Sequence, residues 1–235
     1  MEEKAHCGGC SGGGCGGHSH EDTPEKLALH PLAKVGKIYV VVSGKGGVGK
    51  STITALLAAK DVANGKKVGI LDADITNPTT HKLFHVPQGV TRDAGGLYPA
   101  LTESGLQLIG MGFLTEDEAG LITTKASVMA GIVRQVFTEV YWQDLDVLYI
   151  DLPSTLSDVV EFALGQMPID GAIVIQTPGE LDKAAGLRLG ALLELHQVPV
   201  VKEIENFGSD LAFDAKIFEA ANTGQMENLS LEIEM

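Results

Sequence analysis

The sequence has few cysteines and no long apolar run, and each of these absences excludes a class of protein. Cysteine occurs only at positions 7, 10 and 15, so the 220 residues after Cys15 cannot form disulfides with one another. No apolar run approaches the roughly 20 residues of a membrane-spanning helix. The first 30 residues also lack the apolar centre of a signal peptide. We therefore expect no disulfide framework and a cytoplasmic protein.

Basic residues are also scarce. The 17 lysines and arginines face 31 aspartates and glutamates, which gives a net charge of −14. This balance excludes a broad surface for nucleic-acid phosphates, although a local basic site remains compatible with it. The length of 235 residues suits one α/β domain with extensions.

The most informative stretch is residues 43–52, which read Ser-Gly-Lys-Gly-Gly-Val-Gly-Lys-Ser-Thr. They contain the phosphate-loop pattern G-x-x-x-x-G-K-[ST], in which glycines allow successive N–H groups to point at phosphates. In such a loop Lys50 meets the β- and γ-phosphates, and the Ser51 hydroxyl is placed to bind Mg²⁺. A β-branched run precedes the loop and a helical pattern follows it, as an anion site at a helix N-terminus requires.

From residue 36 onward, apolar runs alternate with helical patterns. This order predicts an α/β fold, a doubly wound and mostly parallel sheet that binds ligands at the C-terminal ends of its strands. The stretch Leu229–Met235 alternates apolar and polar residues, typical of an edge strand or a tail. The predicted strands are Lys37–Ser43, Lys67–Asp72, Leu106–Gly110, Leu145–Asp151, Gly171–Thr177 and Pro199–Glu205. The predicted helices are Lys50–Asn64, Ala126–Val140, Ser157–Gln166 and Glu180–His196.

Three aspartates follow two of the predicted strands. Asp72 and Asp74 come at the end of the second strand, and Asp151 ends the fourth. In a parallel sheet these strand ends lie beside the phosphate loop, where a carboxylate can hold the water shell of Mg²⁺ or orient an attacking water. A single aspartate at such a position can equally be a helix N-cap. Three of them in a phosphate-loop domain favour a role in the site.

Residues 1–35 form a separate segment, in which seven of the ten residues from Gly8 to Gly17 are glycine. Such a stretch buries too little apolar surface to order itself, so we expect disorder unless a ligand organises it. Its thiols, Cys7, Cys10 and Cys15, have the close spacing of ligands for an iron–sulfur cluster or Zn²⁺. Nearby histidines leave Ni²⁺ open, and a tail that binds metal only adventitiously remains the alternative. Those histidines are His6, His18 and His20.

With the second loop lysine, Lys45, and these aspartates, the chain resembles the deviant-Walker-A ATPases, which include MinD, ParA and the nitrogenase iron protein. Within that group it is most similar to the Mrp family of iron–sulfur cluster carriers, from about Val35 to Gly224. The loop is the most specific match. The other matching segments are Asp72–Pro78 (DADITNP), His81–Phe84, Met111–Leu114, Val140–Pro153, Asp170–Pro178 and Val201–Asn206.

The resemblance implies an ATP-dependent homodimer in which Lys45 reaches the phosphates bound by the partner subunit. Asp74 would position the attacking water, so that Lys45 and Asp74 would be the catalytic residues. Ser51, Asp72 and Asp151 would surround Mg²⁺. Asn206 matches an asparagine that reads adenine, although a polar cap on a strand explains it equally well. The implied nucleotide-binding residues are Gly44, Lys45, Gly46, Gly47, Val48, Gly49, Lys50, Ser51, Thr52 and Asn206.

The chain departs from the family pattern twice. Residues 151–158 read DLPSTLSD where the family has D-x-P-P-G-T-G-D, which puts the usual coupling of nucleotide state to conformation in question. After residue 206, the segment that carries the family's C-P-x-C pair looks deleted. A metal therefore cannot occupy the family's bridging site, and attention moves to Cys7, Cys10 and Cys15. Some family members carry four cysteines in this region. Here a fourth ligand would come from a histidine, a small thiol or a cysteine of another subunit, or the fourth position would stay open, which suits a cluster meant for transfer.

We therefore predict an ATP-binding and ATP-hydrolysing protein that acts in iron–sulfur cluster assembly or transfer. Its N-terminal cysteines would hold the cluster, with a [4Fe–4S] type favoured. Hydrolysis would be slow and gated by a partner. The client would be an apo iron–sulfur protein or metalloprotein, with no nucleic-acid or membrane partner. The expected layout is a tail at 1–35, an ATPase domain at 36–228 and a short tail or strand at 229–235. The alternatives are a MinD- or ParA-like regulatory switch, a Ni²⁺ or Zn²⁺ insertion ATPase, and a paralogue that binds nucleotide without turning it over.

Overall fold

A computed structural model of the chain describes residues 26–86, 91–110, 113, 126–154, 156–178 and 180–206. Three regions lie outside these ranges: the cysteine tail, the stretch 229–235 expected to be an edge strand or a tail, and the residues after 206 where the C-P-x-C segment looks deleted. Within them, no helix combines the length and the apolar character that crossing a membrane requires.

A twisted sheet of seven strands forms the centre of the described chain, in the order β5-β6-β2-β7-β1-β8-β9. Neighbouring strands are parallel except for β5, which pairs antiparallel with β6. The doubly wound, mostly parallel sheet predicted from the sequence is confirmed. The strands of this sheet are β1 (Val35–Ser43), β2 (Val68–Asp72), β5 (Ala100–Leu101), β6 (Gln107–Gly110), β7 (Leu145–Asp151), β8 (Gly171–Gln176) and β9 (Val200–Glu205), and a separate hairpin joins β3 (Thr91–Asp93) to β4 (Gly96–Tyr98).

Helices cover both faces of the sheet. All four predicted helices are present, with ends within one residue of the prediction. The one-turn helix α2 was not predicted from the sequence, nor were β3, β4 and β5. The helices with both ends in the described ranges are α1 (Lys50–Ala63), α2 (Thr80–Leu83), α3 (Ala126–Glu139), α4 (Asp158–Gln166) and α5 (Glu180–Leu195).

The apolar core lies in two layers, one on each face of the sheet. On one face α1 packs its buried Ile53 and Leu56 against the strands, and on the other α3, α4 and α5 do the same. Strands buried on both faces are apolar along their whole length, which is why these segments read as continuous apolar runs in the sequence. With helices on both faces, the strand ends and the loops that follow them are left as the place for a site.

The segment before β1 is docked on the domain. Leu27 and Leu29 pack against the core layer of α3, α4 and α5. The Lys26 ammonium donates to the carbonyl oxygens of Leu164 and Gly165, each at 3.1 Å, in the last turn of α4. A cation is favoured there because carbonyl groups at a helix C-terminus are unpaired and carry partial negative charge. Lys26, the residue to which the cysteine tail is joined, therefore lies at the C-terminal end of α4.

Candidate functional site

The glycine-rich loop joins the end of β1 to the start of α1. Gly47 and Gly49 have φ values of 77° and 81°, in the left-handed region that favours glycine. Gly44 is required for a different reason, since a Cβ there would lie 2.7 Å from the backbone carbon of Ala185 in α5. The loop thus has the glycines that a turn of inward-facing N–H groups needs, at the N-terminus of a helix.

Lys50, the first residue of α1, is paired with Asp151 at the end of β7. Its ammonium group donates to Asp151 Oδ1, and the two side chains are 4% and 0% exposed. Asp151 Oδ2 is buried and has no hydrogen-bond partner among the described residues. An unpaired buried carboxylate oxygen is costly, so its position is best explained by a ligand that the site is built to receive.

Asp72 lies beside Asp151, because the parallel register of β2 and β7 sets the two residues opposite each other. Its Oδ2 accepts the backbone N–H groups of Thr79 and Thr80 and the Thr80 hydroxyl, at 2.8–3.1 Å. Burial, and secondarily the charge of Asp151, raise the pKa of Asp72 to about 6. Two buried carboxylates thus face a single lysine, an arrangement with an excess of negative charge that fits a divalent cation.

Asp74 lies at the entrance of the pocket beside the loop. Its Oδ1 accepts the Thr76 hydroxyl at 2.7 Å and the backbone N–H groups of Thr76 and Asn77 at 3.2 Å, which fixes the carboxylate in a turn. The pocket has a volume of about 270 Å³. It brings together residues 47–52 of the loop and helix, Asp74 and Ser154, with Ser43, Asn77, Thr79 and Leu83 completing the lining.

Sequence reasoning missed five of these lining residues as site residues: Asn77, Thr79, Leu83, Ser154 and Ser43. The first three follow Asp72 and Asp74 in a turn and a one-turn helix too short to show periodicity. Ser154 had a usable signal, because it lies three residues after Asp151 where the related pattern has proline.

Lys45 lies apart from the buried lysine, as an exposed residue at the start of the loop. Its backbone carbonyl accepts the Ser43 hydroxyl at 2.9 Å. Whether its ammonium reaches a second subunit stays a prediction, since the structure contains one chain.

Asn206 follows β9 and is fully buried. Its side-chain amide donates to the carbonyl oxygen of Val48 in the phosphate loop at 2.8 Å, and its backbone N–H donates to Gln176 at 2.8 Å. Its predicted contact with adenine stays a prediction. The structure places this residue beneath the loop.

The predicted cysteine site falls outside the described part of the chain. Within that part, no three His, Cys, Asp or Glu side chains come together as a metal-binding group.

Comparison with known proteins finds sequence relatives that have the same phosphate-loop fold. The model of the NUBPL iron-transfer P-loop NTPases, of the ParA group, matches residues 34–234. The iron–sulfur cluster carrier proteins of Methanocaldococcus jannaschii and Clostridium perfringens are 35% and 32% identical to this chain, over 74% and 84% of its length. The matched parts span 61% and 72% of those two proteins, so the chain covers only about three fifths of the first of these relatives.

A solved structure of a nucleotide-binding protein has a similar fold. The nucleotide-binding protein of Archaeoglobus fulgidus in complex with ADP has a TM-score of 0.65 and 30% identity, over 83% of this chain and 88% of that protein. The similarity to a family of iron–sulfur cluster carriers, stated above from the sequence motifs, is confirmed.

Proposed function

We propose that this chain, which belongs to the family of NUBPL iron-transfer P-loop NTPases, binds and hydrolyses ATP in the assembly or transfer of iron–sulfur clusters. The observation that carries the nucleotide half of the proposal is the buried pair Asp72 and Asp151 beside Lys50 and the glycine loop. The unpaired Asp151 Oδ2 and the excess negative charge fit Mg²⁺ bound together with a nucleotide.

In this proposal the loop N–H groups hold the phosphates, and Lys50 exchanges its bond to Asp151 for contacts with the β- and γ-phosphate oxygens. With that bond released, Asp151 and Asp72 would hold the water shell of Mg²⁺, and Ser51 would supply its hydroxyl to the ion. Bound Mg²⁺ would neutralise the charge that develops on the transferred phosphoryl group. No covalent intermediate is needed, because positioning and charge neutralisation suffice for this reaction.

The catalytic assignment rests on two residues. Asp74, which turn hydrogen bonds hold at the pocket, positions the attacking water. Lys45, exposed on the loop, acts on the nucleotide of a second copy of the chain, so the active form is a homodimer. A cation that enters a water-excluded interface stabilises the transition state far more than it would in water.

The cluster itself is cargo, which we assign to Cys7, Cys10 and Cys15, with a [4Fe–4S] cluster favoured and an apo-protein as its acceptor. Free thiols and an iron–sulfur cargo suit the cytoplasm, where thiols stay reduced. Support for coupling comes from α4, which begins at Asp158, close in sequence to the pocket residue Ser154, and ends where Lys26 is bound. A shift of this one helix would be felt at both ends, at the pocket and at the base of the cysteine tail.

The cluster assignment is tested by anaerobic reconstitution with iron and sulfide. The wild-type protein should gain a broad charge-transfer absorption in the visible range, and a variant with Cys7, Cys10 and Cys15 all changed to alanine should not. The same variant is the matched control for the nucleotide site, because it should bind Mg²⁺–ATP as the wild type does. Equal absorption in both proteins would contradict the assignment, and stoichiometric zinc or nickel in place of iron would favour a metal-insertion ATPase.

The transfer step needs a second measurement. The reconstituted protein is mixed with an apo-protein that accepts a [4Fe–4S] cluster, with and without Mg²⁺–ATP, and acceptor activity is followed in time. We expect ATP to change the transfer rate. If the protein hydrolyses ATP but its rate of cluster transfer does not depend on ATP, hydrolysis and cluster transfer are not coupled. That result would favour a regulatory switch.

A further inference from the structure

Asn206 is held beneath the phosphate loop by hydrogen bonds of both its backbone and its side chain. It directly follows β9, which pairs in parallel with β8, and its own backbone N–H donates to Gln176 at the end of β8. Its side chain is fully buried and donates from Nδ2 to the Val48 carbonyl oxygen at 2.8 Å. The donor therefore comes from outside the loop, from the residue that follows the edge strand of the sheet.

The carbonyl that receives this bond belongs to a loop peptide whose orientation the backbone alone does not fix. Val48 lies between Gly47 and Gly49, both in the left-handed region. Because glycine adopts positive and negative φ with nearly equal ease, the peptide between Val48 and Gly49 is free to flip unless something fixes it. The Val48 side chain, 2% exposed, fixes one end of this peptide but not its orientation.

The orientation decides whether the loop binds an anion. In a trans peptide the N–H points away from the C=O. With the Val48 oxygen drawn toward Asn206, the Gly49 N–H therefore points to the opposite side, and Gly49 lines the pocket. A flipped peptide would instead turn a carbonyl oxygen toward the phosphates and would repel them.

We infer that Asn206 is a positioning residue for the phosphate site, which orients the Val48–Gly49 peptide so that its N–H faces the bound phosphates. The amide that the family resemblance assigns to the adenine base is thus already engaged by the loop. A loop-positioning residue acts on any ligand that carries the phosphate chain, whereas a base-reading residue acts only on the adenine nucleotide. The inference rests on the proposed nucleotide site.

The difference is measurable by titration calorimetry of the full chain with Mg²⁺–ATP, Mg²⁺–GTP and Mg²⁺–tripolyphosphate. For Asn206→Ala we expect all three ligands to weaken by a similar factor of about ten, the size that the loss of one buried hydrogen bond gives. The ratio of ATP to GTP affinity should not change. The surface variant Asn64→Ala, at the exposed C-cap of α1, is the matched control and should leave all three affinities unchanged.

Two results would overturn the inference. Weaker ATP binding with unchanged GTP and tripolyphosphate binding would make Asn206 a reader of the base, and unchanged binding of all three would leave it a strand cap. Should the alanine variant not fold, Asn206→Gln keeps a buried amide but moves the donor by one methylene, with the same comparison of three ligands. Failure of the wild type to bind ATP at all would refute the proposed function, and with it the site on which the inference rests, whereas normal wild-type binding combined with unchanged binding by the variant would overturn the inference alone.

Discussion

Two polar clusters are buried against strand β7, and each joins an aspartate to a lysine. In one, Asp61 of α1 accepts the Tyr149 hydroxyl on Oδ2 and the Lys66 ammonium on Oδ1, both at 2.9 Å. In the other, Asp151 accepts the Lys50 ammonium on Oδ1, while Oδ2 finds no partner among the described residues. In the first cluster both oxygens of Asp61 have a partner. In the second cluster only one oxygen of Asp151 has a partner among the described residues.

The second cluster also carries another carboxylate, Asp72, with its pKa raised to about 6. Buried polar groups in folded proteins are almost always paired, so an unpaired one marks a place where stability has been given up for another purpose. The comparison teaches that burial of an aspartate–lysine pair does not by itself indicate function. The incomplete pairing of the carboxylates does.

The largest expected effect comes from removing the lysine of each cluster in turn. Lys50→Met keeps the apolar stem and leaves two buried carboxylates without a cation, so in metal-free protein the free energy of unfolding should fall by about 3 kcal/mol. Lys66→Met should cost at most about 1 kcal/mol, because the Lys66 side chain is 44% exposed and water replaces its charge. Urea unfolding at pH 7.5 measures both. Equal losses would erase the distinction between the clusters.

Next in size is the effect of the second lysine of the loop, which separates catalysis from binding. Lys45→Ala should lower ATP turnover by about 100-fold or more, the range seen when a charge-stabilising donor is removed. Binding of Mg²⁺–ATP should change little, because Lys50 and the loop N–H groups remain. Phosphate release and calorimetry give the two numbers, with Lys66→Met as the exposed-lysine control. Unchanged turnover would remove the role across the dimer that we give Lys45.

A smaller effect, a rise in the free energy of unfolding, is expected when Asp72 beside Asp151 is made neutral. The pKa of Asp72 is about 6 in the fold and 3.8 in the unfolded chain, so the fold favours the protonated form. That preference is fully present below pH 3.8 and is lost as the pH rises through 6, where the charged form destabilises the fold. The raised pKa corresponds to about 3 kcal/mol, and an amide loses about 1 kcal/mol of this because its nitrogen cannot accept the Asp74 N–H that Asp72 Oδ1 accepts. Asp72→Asn should therefore stabilise the metal-free protein by about 2 kcal/mol at pH 8, and the gain should be gone near pH 4.

The matched control for that measurement is Asp61→Asn. It breaks a cluster whose oxygens are both paired, so it should destabilise the protein at pH 8. Urea midpoints across pH 4–8 compare the two variants. A loss of stability for Asp72→Asn at pH 8 would show that its bonds to Thr79 and Thr80 outweigh its charge.

Much of this molecule was predictable from sequence because its central elements carry strong local signals. The strand Leu145–Asp151 was predicted with its observed ends, since its central run Val147–Ile150 is apolar and buried. The glycine loop was recognisable because its conformation admits few residues other than glycine. The hairpin of β3 and β4 was not predicted, because strands of three residues show no period. It is fixed instead by contacts such as those of Leu97 and Tyr98 with the end of α3 and the residues after it.

The sequence predicted which residues form the site, but not which of them contact one another. The aspartates at the strand ends were evident from sequence, but the register that sets Asp72 against Asp151 depends on which strands become neighbours. The same holds for Asn206, whose contact with Val48 spans 158 positions of the chain. Side-chain pairs across such distances carry no local signal, so only the fold shows that the strand after α5 supports the phosphate loop.

The last prediction tests whether the satisfied cluster is structural alone. Tyr149→Phe removes the hydroxyl and leaves Asp61 Oδ2 buried without its donor, which should lower the free energy of unfolding by about 1–2 kcal/mol. Introduced into Asp61→Asn, the same change should cost less, and a double-mutant cycle measures that coupling. Mg²⁺–ATP affinity should stay within about twofold throughout, although Tyr149 lies only two residues before Asp151 on the same strand. A loss of affinity without a loss of stability would mean that the two clusters act as one site, and would remove the contrast drawn between them.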